Sequence, residues 1–301
     1  MSRALGAAIL LLGTVATTTG AQETRRTQEY GARLDTTVVF DRRGTVVLSA
    51  GAGEIIVNTW TQDRVRVRAR ADRGMVRFDA TAMRLTLELS RGRGADIRYE
   101  VTVPVGVRVN ARTTSGDISI AGTRAAVDAG TQSGDLRVED AAETIDLRTM
   151  SGDIVAGTLA GNVEIGTYNG DVTITDVRGD IDASSISGDV TVRNAVARYV
   201  RVKSTSGDLT YEGAVDAGAR YEFASHAGSV YLTVPQTTGA MLSVATYSGS
   251  IESDFPITLK PGQHGINRFT FEIGKGDARI SAESFSGDIT VRTRTPAPSD
   301  R

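Results

Sequence analysis

A short motif, Ser-Gly-Asp followed by Ile, Leu or Val, recurs along the chain and constrains its fold more than any other feature. Complete and variant copies begin at Ser115, Ser133, Ser151, Asn169, Ser187, Ser206, Ala227, Ser248 and Ser286. The first five copies are 18 residues apart, the sixth follows after 19 residues, and the later steps are longer. Self-similarity at a fixed short period indicates a repeat architecture, so the motif sets the frame for the whole sequence.

The residues around the motif form columns when the copies are aligned. Six residues before its first position every copy has an apolar residue, namely Val109, Val127, Ile145, Val163, Ile181, Val200, Tyr221, Leu242 and Ile280. Two residues before it stands a hydroxyl residue, namely Thr113, Thr131, Thr149, Thr167, Ser185, Ser204, Ser225, Thr246 and Ser284. Alternation on both sides of a glycine turn indicates two short strands per repeat, each with one buried face.

Eighteen residues are too few for a four-stranded propeller blade, but they fit one coil of a solenoid with strands about 4.8 Å apart. We therefore predict an all-β solenoid of roughly 18–20-residue coils, each marked by a Ser-Gly-Asp turn. A sandwich of repeated hairpins is the main structural alternative. The hydroxyl column is expected to bond either within the turn or to neighbouring backbone.

The repeats place one solenoid domain over residues 38–293. Residues 38–104 lack the motif but alternate like strands, which predicts an N-terminal cap and the first coils. Residues 105–293 carry the repeats, and a run with several prolines and glycines predicts a loop at 255–275.

The first 21 residues have the pattern of a secretory signal peptide, with Arg3 before an apolar run over residues 4–15 and small residues before Gln22. The run is shorter than the roughly 20 residues that a membrane-spanning helix needs. The sequence therefore predicts export to the periplasm, cell surface or extracellular space, with no membrane span in the mature chain. Residues 22–37 are predicted to be a flexible linker, and residues 294–301 a disordered tail.

Charge and cysteine content exclude several classes of function. The chain has 34 Lys and Arg against 36 Asp and Glu, whereas nucleic-acid binding usually requires a basic surface. It has no cysteine, which excludes thiol catalysis, thiolate metal sites and disulfides.

Several segments resemble a known family. They are the strand-like residues 53–60, the segments 99–104 and 230–235, and the turn at 246–251, together with the repeated motif. In these features the chain resembles the DUF4097-type putative adhesins, bacterial exported β-solenoid proteins, over roughly residues 38–292. The resemblance implies a cell-envelope role and carries over no catalytic residue.

The aspartates of the motif are the first candidate site. They are Asp117, Asp135, Asp153, Asp171, Asp189 and Asp208. In a stack their carboxylates repel one another, so each must be compensated. We expect each carboxylate to accept backbone N–H groups in its own turn, as Asp often does. A row of Ca²⁺ ions is the weaker alternative, because calcium needs six to eight oxygens and each coil offers one Asp and a Ser.

A second acidic row is predicted to point outward from the strands. It consists of Asp128, Asp146, Glu164 and Asp182. Arg148 and Arg201 lie nearby in the pattern, so a solvated, partly self-paired surface is the simpler interpretation. The functional alternative is a binding strip for divalent cations, cationic peptides or surface polymers.

Candidates for catalysis and sugar stacking are few. His226 falls in a variant turn and His264 in the predicted loop, and neither has the neighbours of a Ser-His-Asp triad. Tyr168, Tyr247 and Phe285 stand beside the motif, where they either cover neighbouring coils or stack on sugars. The lone tryptophan, Trp60, belongs to the first strands.

The sequence therefore predicts a noncatalytic exported cell-envelope protein, an adhesin-like binding or scaffold module with repetitive faces. Its expected partner is an envelope or surface polymer or protein, and no cofactor is expected. A glycan-active β-helix enzyme and a calcium-stiffened structural module are the alternatives.

Overall fold

The computed structural model describes residues 26–30, 33–91, 95–255, 268–274 and 276–294. The strands are β1 Arg26–Tyr30, β2 Arg33–Val39, β3 Thr45–Trp60, β4 Arg64–Ala71, β5 Met75–Ala80, β6 Arg84–Arg91, β7 Asp96–Pro104, β8 Arg108–Ser115, β9 Ile118–Ala121, β10 Val127–Ser133, β11 Leu136–Ser151, β12 Ile154–Asn169, β13 Val172–Arg178, β14 Ile181–Ser187, β15 Val190–Ala195, β16 Tyr199–Ser206, β17 Leu209–Gly213, β18 Arg220–Ala227, β19 Val230–Pro235, β20 Ala240–Ser248, β21 Ile251–Ser253, β22 Arg268–Ile273, β23 Ala278–Ser286 and β24 Ile289–Arg294. Within the described residues no helix is long and apolar enough to cross a membrane. The chain is an all-β solenoid, which confirms the predicted fold class.

Each coil contributes one strand to each of two parallel faces. The first face contains the strands that lead into a Ser-Gly-Asp corner, such as β10, β14 and β16, and the second face contains those that leave it, such as β13 and β15. In β3, β11 and β12 the two strands of a coil run together into one 16-residue strand. Equivalent residues of successive coils are register partners, as Val127, Ile145 and Val163 show.

The core lies between the two faces and is built from the predicted columns. All nine residues of the apolar column are at most 3% exposed, and all nine residues of the hydroxyl column are buried as well. Burial of each Val, Ile or Leu stabilises the fold by about 2 kcal/mol. Near the C-terminal end the core becomes aromatic, where Tyr211 lies 5.7 Å from Tyr221 and 5.3 Å from Phe223 between ring centroids.

The order of coils in the stack differs from the order in the chain at both ends. At the N-terminal end β3 lies between the β6–β7 coil and the β8–β9 coil, so the chain passes outward and then returns. At the C-terminal end the last coil in sequence, β23–β24, inserts between β18–β19 and β20–β21. Coils can stack out of chain order because each coil buries the same apolar columns whichever coil lies next to it.

Antiparallel strands cover both ends of the stack. β2 pairs with β4, which pairs with β7, and β1 pairs with β5, which pairs with β6. β22 pairs antiparallel with β20 at the other end. These strands satisfy backbone groups that an open solenoid end would expose.

Two of the predicted irregular segments are therefore partly wrong. The predicted linker 22–37 contains β1 and most of β2, and the predicted loop 255–275 contains β22. Both contain strands because the terminal coils need an edge partner, which local composition does not reveal. Residues 1–21, predicted to be a signal peptide, and 295–301 of the predicted tail lie outside the described residues.

Candidate functional site

The nine glycines of the motif, together with Gly53 of β3, stack in a row along one corner of the solenoid. In stack order this row is Gly53, Gly116, Gly134, Gly152, Gly170, Gly188, Gly207, Gly228, Gly287 and Gly249. At Gly152 the backbone φ is 144°, and a Cβ placed there would lie 2.6 Å from the carbonyl carbon of Gly134 and closer still to its oxygen. Glycine is therefore required both by the backbone conformation and by the close approach of the next coil.

The hydroxyl column satisfies the carbonyl groups of that glycine row. Thr149 Oγ1 donates to the Gly134 carbonyl at 3.2 Å, and Thr246 Oγ1 donates to Gly287 at 2.9 Å. The same bond recurs from Thr131, Thr167, Ser185, Ser204, Ser225 and Ser284. Of the two possibilities left open by the sequence, eight of the nine hydroxyls bond to the backbone of the neighbouring coil. Thr113 Oγ1, in the first copy, is buried without a hydrogen-bond partner among the described residues.

The motif aspartates form a second row of inter-coil bonds. The backbone N–H of Asp153 donates to Asp135 Oδ1 at 2.9 Å, and that of Asp171 donates to Asp153 Oδ1 at 2.9 Å. The bond repeats from Asp117 to Asp208, whose carboxylate accepts the N–H of Ser229 at 2.7 Å. The expectation that each carboxylate bonds within its own turn is therefore wrong. The backbone N–H groups of that turn already donate to carbonyls of the next coil, as the Gly134 N–H does to the Ser151 carbonyl.

This arrangement bears on the calcium alternative. Each of the six motif aspartates commits one carboxylate oxygen to a backbone N–H of the next coil. Fewer oxygens therefore remain for a cation than the sequence suggests. In the described part of the chain no group of three or more His, Cys, Asp or Glu is placed to hold a metal ion.

The four residues of the acidic row lie together on the first face as direct register partners. Arginines interleave with them. Arg112 pairs with Asp128, Arg148 pairs with both Asp146 and Glu164, and Arg201 pairs with Asp182 at 3.5 Å and with Glu222 at 3.4 Å. The prediction of an outward, partly self-paired row agrees with this geometry, and its use as a binding strip stays a prediction.

Asp146 differs from its neighbours in this row. Its carboxylate lies 3.0 Å from Arg148, but its Oδ1 atom is buried and has no hydrogen-bond partner. Burial raises the pKa of Asp146; Arg148 opposes the rise, whereas the Glu164 and Asp128 carboxylates on either side add to it. At Asp146 the repulsion between neighbouring carboxylates of the acidic row is therefore not fully compensated.

An exposed row beside the corner carries apolar and aromatic side chains on the first face. Met150, Tyr168 and Ile186 lie on three successive coils and are 58%, 53% and 40% exposed. Farther along, the rings of His226 and Tyr247 each stack on Phe285 at 4.8 Å between centroids. Phe285 therefore has both faces covered, which supports the interpretation that these aromatics cover neighbouring coils.

Two residues singled out from the sequence lie elsewhere. Trp60 is at the end of β3, where its indole N–H donates to the Arg64 carbonyl at 2.7 Å. His264 lies outside the described residues.

A different corner, where the second-face strands end, is lined by residues in the left-handed region of backbone conformation. Asp140, Thr158, Asp176 and Asn194 have φ between 52° and 55° on four successive coils. This conformation costs about 1–3 kcal/mol for a residue other than glycine and is uncommon for β-branched Thr. Asn194 Nδ2 donates to Asp176 Oδ1 at 3.2 Å, and these residues line a groove of about 550 Å³ that the sequence did not indicate.

A depression of about 460 Å³ lies on the first face near its C-terminal end. Its floor is formed by the small residues Ala224, Ser281 and Ser243, and charged residues, including Arg279 and Glu283, stand at its rim. We call it the C-terminal depression. Because β23 inserts between β18 and β20, its floor combines residues 57 positions apart in sequence, so no local pattern could have indicated it.

A family model described as Toastrack DUF4097 matches residues 54–292. Among solved structures, a putative adhesin from Bacteroides fragilis is 12% identical with a TM-score of 0.36, covering 91% of this chain and 98% of its own. A putative cell adhesion protein from Clostridium sporogenes is 10% identical with a TM-score of 0.21, covering 87% of this chain and 100% of its own. No curated protein matches the chain significantly.

Proposed function

The chain belongs to the Toastrack DUF4097 family, and from that premise we propose that it is a noncatalytic cell-envelope protein whose first face binds a surface polymer or protein. The family match confirms the resemblance carried by the repeated motif and by residues 99–104 and 230–235. The signal-like residues 1–21 support export, and the solved structures called putative adhesins suggest binding as the activity to test.

The observation that carries this proposal is that the polar residues of the repeat bond to other residues of the solenoid. Motif aspartates, hydroxyls and glycines bond to the adjacent coil, and the acidic row pairs with arginines. A catalytic acid needs a position that differs from its neighbours, whereas the motif aspartates have the same role on successive coils. Asp146 of the acidic row does differ from its neighbours, but it is ion-paired with Arg148. The first face also carries the exposed row of Met150, Tyr168 and Ile186, whose side chains are free to bind a ligand.

Binding by the first face is tested with two matched tyrosines. Tyr168 is 53% exposed on the first face, and Tyr231 is 39% exposed on the second. The purified chain without residues 1–21 should sediment with isolated cell-wall material; Tyr168→Ser should weaken this binding several-fold, and Tyr231→Ser should leave it unchanged. Equal effects of the two substitutions, or no sedimentation of the parent chain, would contradict the proposal.

Two further assays address the alternative of a glycan-active enzyme and the proposed export. Incubation with soluble and cell-wall polysaccharides should release no reducing ends, and measurable turnover would establish the enzyme instead. In cell fractionation the full chain should leave the cytoplasm and a chain lacking residues 1–21 should remain in it. Equal distribution of the two chains would argue against export.

A further inference from the structure

The C-terminal depression carries an excess of positive charge at its rim. Arg220 and Arg279 are direct register partners on the neighbouring strands β18 and β23. Like charges directly opposite one another destabilise a pair of strands unless something compensates them. Arg220 is compensated by Glu222, but Arg279 has no carboxylate within ion-pair distance among the described residues.

Lys203 adds a second cation that lacks a carboxylate partner in the described structure, and it lines the same depression. Three cations, Lys203, Arg220 and Arg279, stand against two carboxylates, Glu222 and Glu283, which leaves a net charge of +1. Glu222 is already shared between Arg201 and Arg220, and Glu283 pairs with Arg268 at 3.2 Å. The uncompensated charge therefore belongs to Arg279 and Lys203.

We propose that the C-terminal depression binds a carboxylate-bearing glycan, with Arg279 and Lys203 holding its carboxylates. This inference rests on the proposed function and names the class of ligand for its first face. An arginine fork matches the geometry of a carboxylate in two parallel hydrogen bonds. Ser243 and Ser281 on the floor provide hydroxyl groups, and the Glu283 carboxylate at the rim accepts hydrogen bonds from sugar hydroxyls.

The surroundings favour a glycan over a peptide. A peptide that adds to a sheet needs unpaired backbone groups, but β18 pairs on both sides with β16 and β23, and β23 pairs with β18 and β20. Tyr247 stacks on Phe285 with one ring face and is 59% exposed, so an aromatic surface stands at the same end of the first face. A net charge of +1 suits a polymer with no more than one carboxylate per sugar better than a polyphosphate, which carries a charge on every phosphate.

The test is a titration of the purified chain, without residues 1–21, with oligogalacturonate, monitored calorimetrically. The methyl-esterified form of the same oligomer has the same backbone without the charge, and polyphosphate serves as a dense anion. We expect saturable binding of oligogalacturonate, at least tenfold weaker binding of the ester, and no preference for polyphosphate. Binding of polyphosphate that is tighter than that of oligogalacturonate would overturn the assignment to a glycan.

Substitutions locate the binding to the depression. Arg279→Gln should lower the affinity about tenfold or more and Lys203→Gln several-fold, because each removes a charge-assisted hydrogen bond. Arg292→Gln is the matched control, since Arg292 is exposed on the second face of the same coil. If Arg292→Gln weakens binding as much as Arg279→Gln, the attraction is general electrostatics and the site is wrong.

A variant that fills the depression tests its shape without altering its charge. Ser243→Tyr should lower the affinity at least tenfold while circular dichroism and melting temperature stay those of the parent, because Ser243 is on the outward side of β20. Unchanged affinity would overturn the proposal. If oligogalacturonate does not bind but cell-wall material still sediments with the chain, this inference fails and the proposed function stands; if neither binds, both fail.

Discussion

Replacing Gly152 by alanine tests the stacked corner most severely. The positive φ of 144° costs about 1–3 kcal/mol for any residue with a Cβ. The new Cβ also collides with the Gly134 carbonyl, and moving a packed neighbour costs about another 1–3 kcal/mol. Displacing that carbonyl weakens the hydrogen bond from Thr149 as well. We expect Gly152→Ala to lower the free energy of unfolding by about 4 kcal/mol, or the melting temperature by about 10 °C.

Gly166 provides the matched control, because it lies on the half-buried outward side of the first-face strand segment in the following coil. A Cβ there would have the Ser184 hydroxyl as its nearest neighbour at 3.7 Å, and its φ is not in the left-handed region. Gly166→Ala should be neutral or should stabilise by less than about 1 kcal/mol. Urea denaturation followed by circular dichroism measures both variants. A difference of less than about 1 kcal/mol between them would refute the reasoning about the corner.

Three other outcomes follow from the rows on the first face and its corner. Asp153→Ala should lower the free energy of unfolding by about 1 kcal/mol, because the Asp171 N–H loses its acceptor. Asp153→Asn keeps an oxygen at that place and should lower it less. Urea denaturation measures both variants, and equal losses would contradict this expectation. Because the pKa of Asp146 is raised in the folded state, its favourable contribution is present at low pH and is lost as pH rises through that pKa. Asp146→Asn should therefore be more stable than the parent near neutral pH, and the gain should vanish in acid, where the Asp146 carboxyl of the parent is protonated. A less stable variant at neutral pH would be evidence against this sign. The melting temperature should not change when calcium or a chelator is added, and a rise of several degrees with calcium would favour the calcium-stiffened alternative.

The repetitive part of the fold could be predicted from sequence because each coil requires the same types of residue at the same positions. The apolar column from Val109 to Ile280 marks the core, and the hydroxyl column marks the corner. Each column can be recognised in a single coil, and its recurrence in every copy strengthens the prediction. The outward acidic row followed from the two-residue alternation of a strand in the same way.

The features that sequence reasoning missed depend on which coil lies next to which. The motif aspartates accept hydrogen bonds from the next coil instead of their own turn, and only the stacking geometry decides which backbone N–H groups donate to them. The insertion of β23 between β18 and β20 has no local signal, since a Ser-Gly-Asp coil fits against any other. For the same reason the sequence suggested Tyr247 and Phe285 as aromatic candidates but did not suggest their stack with His226.

Cysteine cross-linking at the aromatic stack tests most directly that the coils lie in register in the order described. The chain has no cysteine, so each introduced pair is the sole source of a disulfide. Neighbouring coils place equivalent Cα atoms about 4.8 Å apart, within disulfide range, whereas coils once removed are about twice as far apart and beyond it. The pairs His226→Cys with Phe285→Cys and Tyr247→Cys with Phe285→Cys should both form disulfides under mild oxidation, and His226→Cys with Tyr247→Cys should not. Ready cross-linking of the last pair, with failure of the first, would show that the coils stack in sequence order and would contradict the structure of the C-terminal end.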